Sequence, residues 1–155
     1  MKFRDHFIET NEKNDGKFSF ASEILVNNLL HGFSSLEKFV ISISPKNSDY
    51  EELNIHGRDL PASCWYLKLQ CGFSVRHLCD LMLSDECLAS ISVLIVDYSE
   101  LNIGHLMIIR DLAREKGTLR YFGIYGKEEF DKEELEVIKD LQHQYNVKVD
   151  FRDIV

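Results

Sequence analysis

Apolar residues recur along this chain at two spacings, and the second half switches cleanly between them. Cys64 to Gln70 (CWYLKLQ) alternates with the period of a strand that buries one face. Ser74 then stands as a helix cap, followed by Val75, Leu78, Cys79 and Met82 on one helical face. Ile91 to Val96 (ISVLIV) is apolar on both faces, which predicts a central strand in a sheet covered on both sides. Residues Ile103 to Lys116 read as a helix that Gly117 ends, and Leu119 to Tyr125 (LRYFGIY) as the next strand. Asp131 opens a further helix with Glu134 in the capping-box position. Leu135, Ile138, Leu141 and Tyr145 are its expected buried stripe, and Val147 to Phe151 (VKVDF) is the closing strand.

The order from Ser63 is therefore β-α-β-α-β-α-β. Right-handed crossovers make such strands mostly parallel, so the expected fold is an α/β layer with helices packed on a sheet. Residue identities show no internal repeat. Upstream, Ser19 to His31 reads as a helix and Lys38 to Ser44 (KFVISIS) as a strand, with Pro45 to Asp49 as a turn. Glu51 to Ile55 fits a short edge strand. Residues 1–18 are polar, either a loose arm or a short first element. All of residues 1–155 are expected to form one domain.

Composition narrows the class. Apolar residues are 45% of the 155, enough for a packed core. The net charge is −8, which disfavours a nucleic-acid partner and suits a basic protein. The first residues lack the apolar core of a signal peptide, and no run is long enough to span a bilayer. Cys64, Cys71, Cys79 and Cys87 form no C-x-x-C pair. A cytoplasmic protein with reduced thiols, no cofactor and no metal is the expectation.

Ligands in such folds usually sit at the C-terminal ends of the strands. The loops there are Cys71 to Phe73, Asp97 to Glu100 and Gly126 to Glu128, and none is a glycine-rich phosphate cradle. Cys71 and Arg76 miss the C-x5-R spacing of a cysteine phosphatase by one residue, and His77 takes the arginine's place. Asn11 to Gly16 resembles a calcium loop, but Lys13 stands where a carboxylate is needed. The histidines show no metal-ligand spacing, and no G-x-S-x-G elbow accompanies a serine.

Two family resemblances involve the same segment. Residues 93–117, VLIVDYSELNIGHLMIIRDLAREKG, resemble a receiver domain, which places Asp97 at that family's phosphoacceptor. The acidic pair that holds magnesium there is replaced by Ser42 and Ser44, and the expected hydroxyl residue by Gly123. Residues 65–149 resemble a STAS domain, the fold of anti-sigma-factor antagonists, through YLKLQCG, VLIVDYSELN and LMIIRDLAREKGTLRYFGI. That family's serine-bearing loop is shortened here to Leu101 to Gly104. Either resemblance implies a regulatory domain that docks on a kinase or transcription regulator.

The remaining feature is acidic. Residues 126–140 carry Glu128, Glu129, Asp131, Glu133, Glu134, Glu136 and Asp140 against Lys127, Lys132 and Lys139. Acids in a first helical turn also serve the helix dipole and a solvated face. The functional expectation is a non-catalytic binding protein, in concrete form a small bacterial immunity protein (antitoxin). It would neutralise a basic toxin, such as a nuclease, by occluding its active site. The expected contact residues are Asp49, Glu51, Glu52, Tyr98, Glu128, Glu129, Asp131, Glu133, Glu134 and Glu136. Trp65 is expected in the core. An enzyme of unrecognised type is the remaining alternative.

Overall fold

The computed structural model describes residues 5–9, 37–42, 57–70, 74–85, 87 and 89–152. The expected helix over Ser19 to His31, the edge strand over Glu51 to Ile55, the calcium-like loop and Cys71 lie outside them. The strands are β1 (Asp5–Glu9), β2 (Lys38–Ser42), β3 (Tyr66–Gln70), β4 (Val93–Asp97), β5 (Tyr121–Tyr125) and β6 (Lys148–Arg152). The helices are α1 (Val75–Met82), α2 (Ile103–Lys116) and α3 (Lys132–His143). The fold is α/β, as its alternating pattern predicts. Residues 5–9 form the short first element of the two alternatives for the N-terminal stretch.

All six strands pair in parallel and in chain order, β1 to β6. Right-handed crossovers between β3, β4, β5 and β6 send the three connecting helices to the same side. Accordingly α1 packs on α2 and α2 on α3, with Arg110 of α2 reaching Asp140 of α3 at 3.4 Å. Strands β2 to β6 begin at residues 38, 66, 93, 121 and 148, at intervals of 28, 27, 28 and 27. The chain is thus regular in backbone units although its residue identities hide the repeat. Each unit packs on its neighbours, as in a solenoid.

Alternation decides which residues enter the core. Leu67, Leu69, Leu94, Val96, Phe122 and Ile124 point to the helix layer and are buried. They meet Leu78, Leu81 and Met82 of α1, Leu106, Ile109 and Leu112 of α2, and Val137, Ile138 and Leu141 of α3. Val75 and Cys79 on α1 are only partly buried. Two expectations fail here. Leu135 is 42% exposed, because Glu134 and Val137 take the core-facing positions of α3. Trp65 is 38% exposed, since it precedes β3 at the rim of the sheet.

Local chemistry sets the ends of the helices. Ser74 Oγ accepts the His77 N–H at the start of α1. Asn102 begins α2 by accepting the Gly104 N–H at 2.9 Å, while His105 Nδ1 accepts the Asn102 N–H at 3.1 Å. That arrangement requires the His105 proton on Nε2. Gly117 ends α2 with φ 66°, a backbone that glycine adopts without a Cβ clash. Asn102→Ala is expected to lower stability by about 1 kcal/mol, the usual worth of a helix cap. A urea titration of the two proteins measures it, and an unchanged midpoint would mean the cap is idle.

Candidate functional site

The apolar run of Ile91 to Val96 predicted a sheet covered on both sides, but among the described residues the helices cover only one. Leu94 and Val96 go to the helices, whereas Ile95 points the other way. The parallel register lines up the residues of that second face in rows. One row is Lys38, Tyr66, Val93, Tyr121 and Lys148. The next is Val40, Lys68, Ile95, Gly123 and Asp150. Toward the strand ends, Asp97, Tyr125 and Arg152 stand side by side. The register places Asp5 and Glu9 at the far edge, on β1.

These side chains interact across the strands. Lys38 Nζ lies 5.5 Å from the Trp65 ring centre and 5.6 Å from that of Tyr66. The Tyr125 ring has Lys68 Nζ at 5.5 Å and the Arg152 guanidinium at 5.3 Å. The Tyr121 hydroxyl donates to Asp150 Oδ2 at 2.8 Å. Partial burial is the main reason its phenol titrates above the ordinary range, and the Asp150 carboxylate adds to it. In return the Tyr121 hydrogen bond, with Arg152 and Lys148 nearby, holds Asp150 below the usual carboxylate range.

Gly123 sits beneath the two tyrosines. A Cβ there would lie 3.1 Å from Tyr125 Cε1, 3.3 Å from Tyr121 Cε1 and 3.2 Å from Ile95 Cγ1. The missing side chain is what lets both rings lean inward over the sheet. Ile95 beside it is buried, with no described helix above it. The face is therefore an aromatic platform edged by cations, and its tyrosines and Arg152 are residue types that protein interfaces favour.

The expected contact residues divide. Glu128, Glu129, Glu133 and Glu136 are exposed around the start of α3. Glu134 is not part of that surface. Its carboxylate is buried, with Lys127 Nζ 2.7 Å from Oε2, and that oxygen has no further hydrogen bond among the described residues. Lys127 also donates to the Leu101 carbonyl, tying this loop to the approach of α2. Asp131 is committed to capping α3 by accepting the Glu134 N–H at 2.8 Å. Tyr98 is partly buried edge-on against His105, with its hydroxyl on Glu100 Oε2 at 3.2 Å. Asp49, Glu51 and Glu52 lie outside the described residues.

The Asp131 carboxylate titrates below its ordinary range because it accepts backbone N–H bonds, with the Lys127 charge assisting. A depressed folded value means its contribution is present above the unfolded value, about 4, and lost as pH falls through the folded one. Asparagine caps equally well but does not titrate. Asp131→Asn is therefore expected to flatten the acid limb of stability below about pH 4. Urea midpoints taken at a series of pH values test this; parallel limbs would refute it.

For chemistry, the described residues offer little. Among them no three His, Cys, Asp or Glu side chains cluster as metal ligands would. Burial pushes the Cys64 thiol up to about 12, the opposite of an activated nucleophile. Asp97 ends β4 beside Tyr125, partly buried and in no ion pair among the described residues. The described strand order never reverses, so the sheet has no switch-point crevice of the kind that holds nucleotides. No helix among the described residues is long and apolar enough to cross a membrane. No protein-family model, curated protein or solved structure matches this chain.

The residues on the platform were not foreseen as a site. Their signal was in the strands, where Tyr66 and Lys68, Tyr121 and Tyr125, and Asp150 alternate with core residues. Such a face emerges only once the described helices are known to fall on one side.

Proposed function

We propose that this chain is a non-catalytic module that binds a protein partner on the open face of its sheet. One observation carries the reading: a parallel sheet whose second face bears Tyr66, Tyr121 and Tyr125 among Lys38, Lys68 and Arg152, with no described element packed on it. Tyrosine and arginine are the side chains that most often dominate interface energies. Stacked β-α units also provide a broad rigid surface, which suits protein recognition better than small-molecule capture.

The specific form we favour is an immunity protein that blocks a basic toxin. The net charge of −8 would steer a basic partner, and exposed Glu128, Glu129, Glu133 and Glu136 support it. A regulatory domain docking on a kinase or transcription regulator is the second reading, resting on the resemblance around Asp97.

A photo-crosslinking amino acid placed at Tyr66 or Tyr125, and separately at Glu136, tests the surface in cells. The expected result is a protein adduct from the sheet positions. Adducts only from Glu136 would move the interface to α3. Protection of cells against a co-expressed toxin tests the immunity form, and labelling of Asp97 by acetyl phosphate would favour the regulatory one.

A further inference from the structure

We propose that the β3–β6 part of the open face receives an extended acidic segment of the partner, an inference that rests on that face being the binding surface. Lys68, Lys148 and Arg152 present three cations there, against the carboxylates of Asp97 and Asp150. Asp150 is already engaged, by the Tyr121 hydroxyl at 2.8 Å and by Arg152 Nε at 3.6 Å. Lys68 has no carboxylate within ion-pair distance among the described residues, and its ammonium rests on the Tyr125 ring. Lys148 is exposed, near enough to Asp150 to act on its charge but in no ion pair among the described residues. The local sign is thus opposite to that of the chain, which carries −8.

Screening decides which sign the partner meets. Charges further apart than about 8 Å are largely hidden at physiological salt. Asp5 and Glu9 on β1 stand two strands from Lys68 on β3 and five from Arg152 on β6, roughly 10 Å and 24 Å at the usual strand spacing. The carboxylates around α3 belong to the helix side of the sheet. A segment lying across β3 to β6 therefore meets Lys68 and Arg152 before it meets the net charge. The Tyr125 ring lies against both cations and restrains their side chains, which reduces the entropy lost on binding.

The test uses the isotopically labelled full chain and a hexaglutamate probe, followed by nuclear magnetic resonance at low and at high salt. The expected footprint covers positions 66–70, 121–125 and 148–152, and fades several-fold at high salt. Lys68→Gln with Arg152→Gln should weaken apparent binding about tenfold, whereas Lys132→Gln with Lys139→Gln on α3 should not. The charge reversal Lys68→Glu with Arg152→Glu should transfer the footprint to hexalysine, a gain that misfolding cannot imitate. A footprint on the helix side overturns the proposal, as does equal loss in the α3 variant. So does tighter binding of hexalysine, or of a thymidine decanucleotide, to the unaltered chain. Sheet-face crosslinks combined with a silent hexaglutamate would refute the acidic segment alone and leave the binding face intact.

Discussion

Phe122→Ala is expected to destabilise the protein by about 3–5 kcal/mol, the range for deleting a fully buried aromatic side chain. Phe122 is 0% exposed and lies on the helix side of β5, in register with Leu94 on β4 and Val149 on β6. The loss has two parts, the lost transfer of the ring from water and the cavity that the rigid sheet cannot close. A domain of this size has roughly 5–15 kcal/mol in total, so the variant should stand near its unfolding threshold. Tyr125→Ala, on the opposite face of the same strand, removes a partly exposed ring and should cost much less. Urea unfolding of both variants separates the two faces. Equal losses would show that the open face also acts as core.

Lys127→Met is the second large effect, at about 3–5 kcal/mol. The Lys127 and Glu134 side chains are 13% and 8% exposed, so removing the cation strands a buried carboxylate. It also removes the donor to the Leu101 carbonyl and the cation over the Phe130 ring, 5.3 Å away. The pair itself gives little net stability, because both charges lost their hydration on folding. Lys127→Met combined with Glu134→Leu should therefore recover most of the loss. If the single variant costs under about 1 kcal/mol, the pair behaves as a surface salt bridge instead.

That buried pair also explains where pattern reading stopped. Val137, Ile138 and Leu141 follow helical spacing, but the remaining place on the core-facing stripe is held by Glu134. A hydrophobicity pattern cannot choose a glutamate over Leu135, since the choice depends on Lys127, which precedes the helix. Strands β2 to β6, by contrast, were legible within two residues. YLKLQ, VLIVD and YFGIY mark β3, β4 and β5, and Ser74, Gly117 and Asp131 mark helix ends by their own backbone chemistry.

The open face was harder to read for a different reason. Tyr66, Lys68, Tyr121 and Tyr125 become neighbours only through the register of separate strands. Ile95 misled in the same way. Its apolar side chain suggested cover by a helix, whereas among the described residues it lies beside Gly123 on the face without one. Nothing in ISVLIV alone distinguishes those two settings.

The regular spacing of β2 to β6 has a consequence for how the chain tolerates change. Among the described residues each strand bonds only the ones before and after it, so no contact there closes the sheet from one end to the other. Cooperativity is then transmitted link by link, as along a row of dominoes, rather than shared by the whole core. A residue inserted in one crossover is felt by the two units that flank it. Opening starts from the termini of the row, where β6 has a neighbour on one side and keeps Phe151 45% exposed. The platform around Tyr121 and Tyr125 lies one strand inward, so its order depends on that outermost strand staying in place.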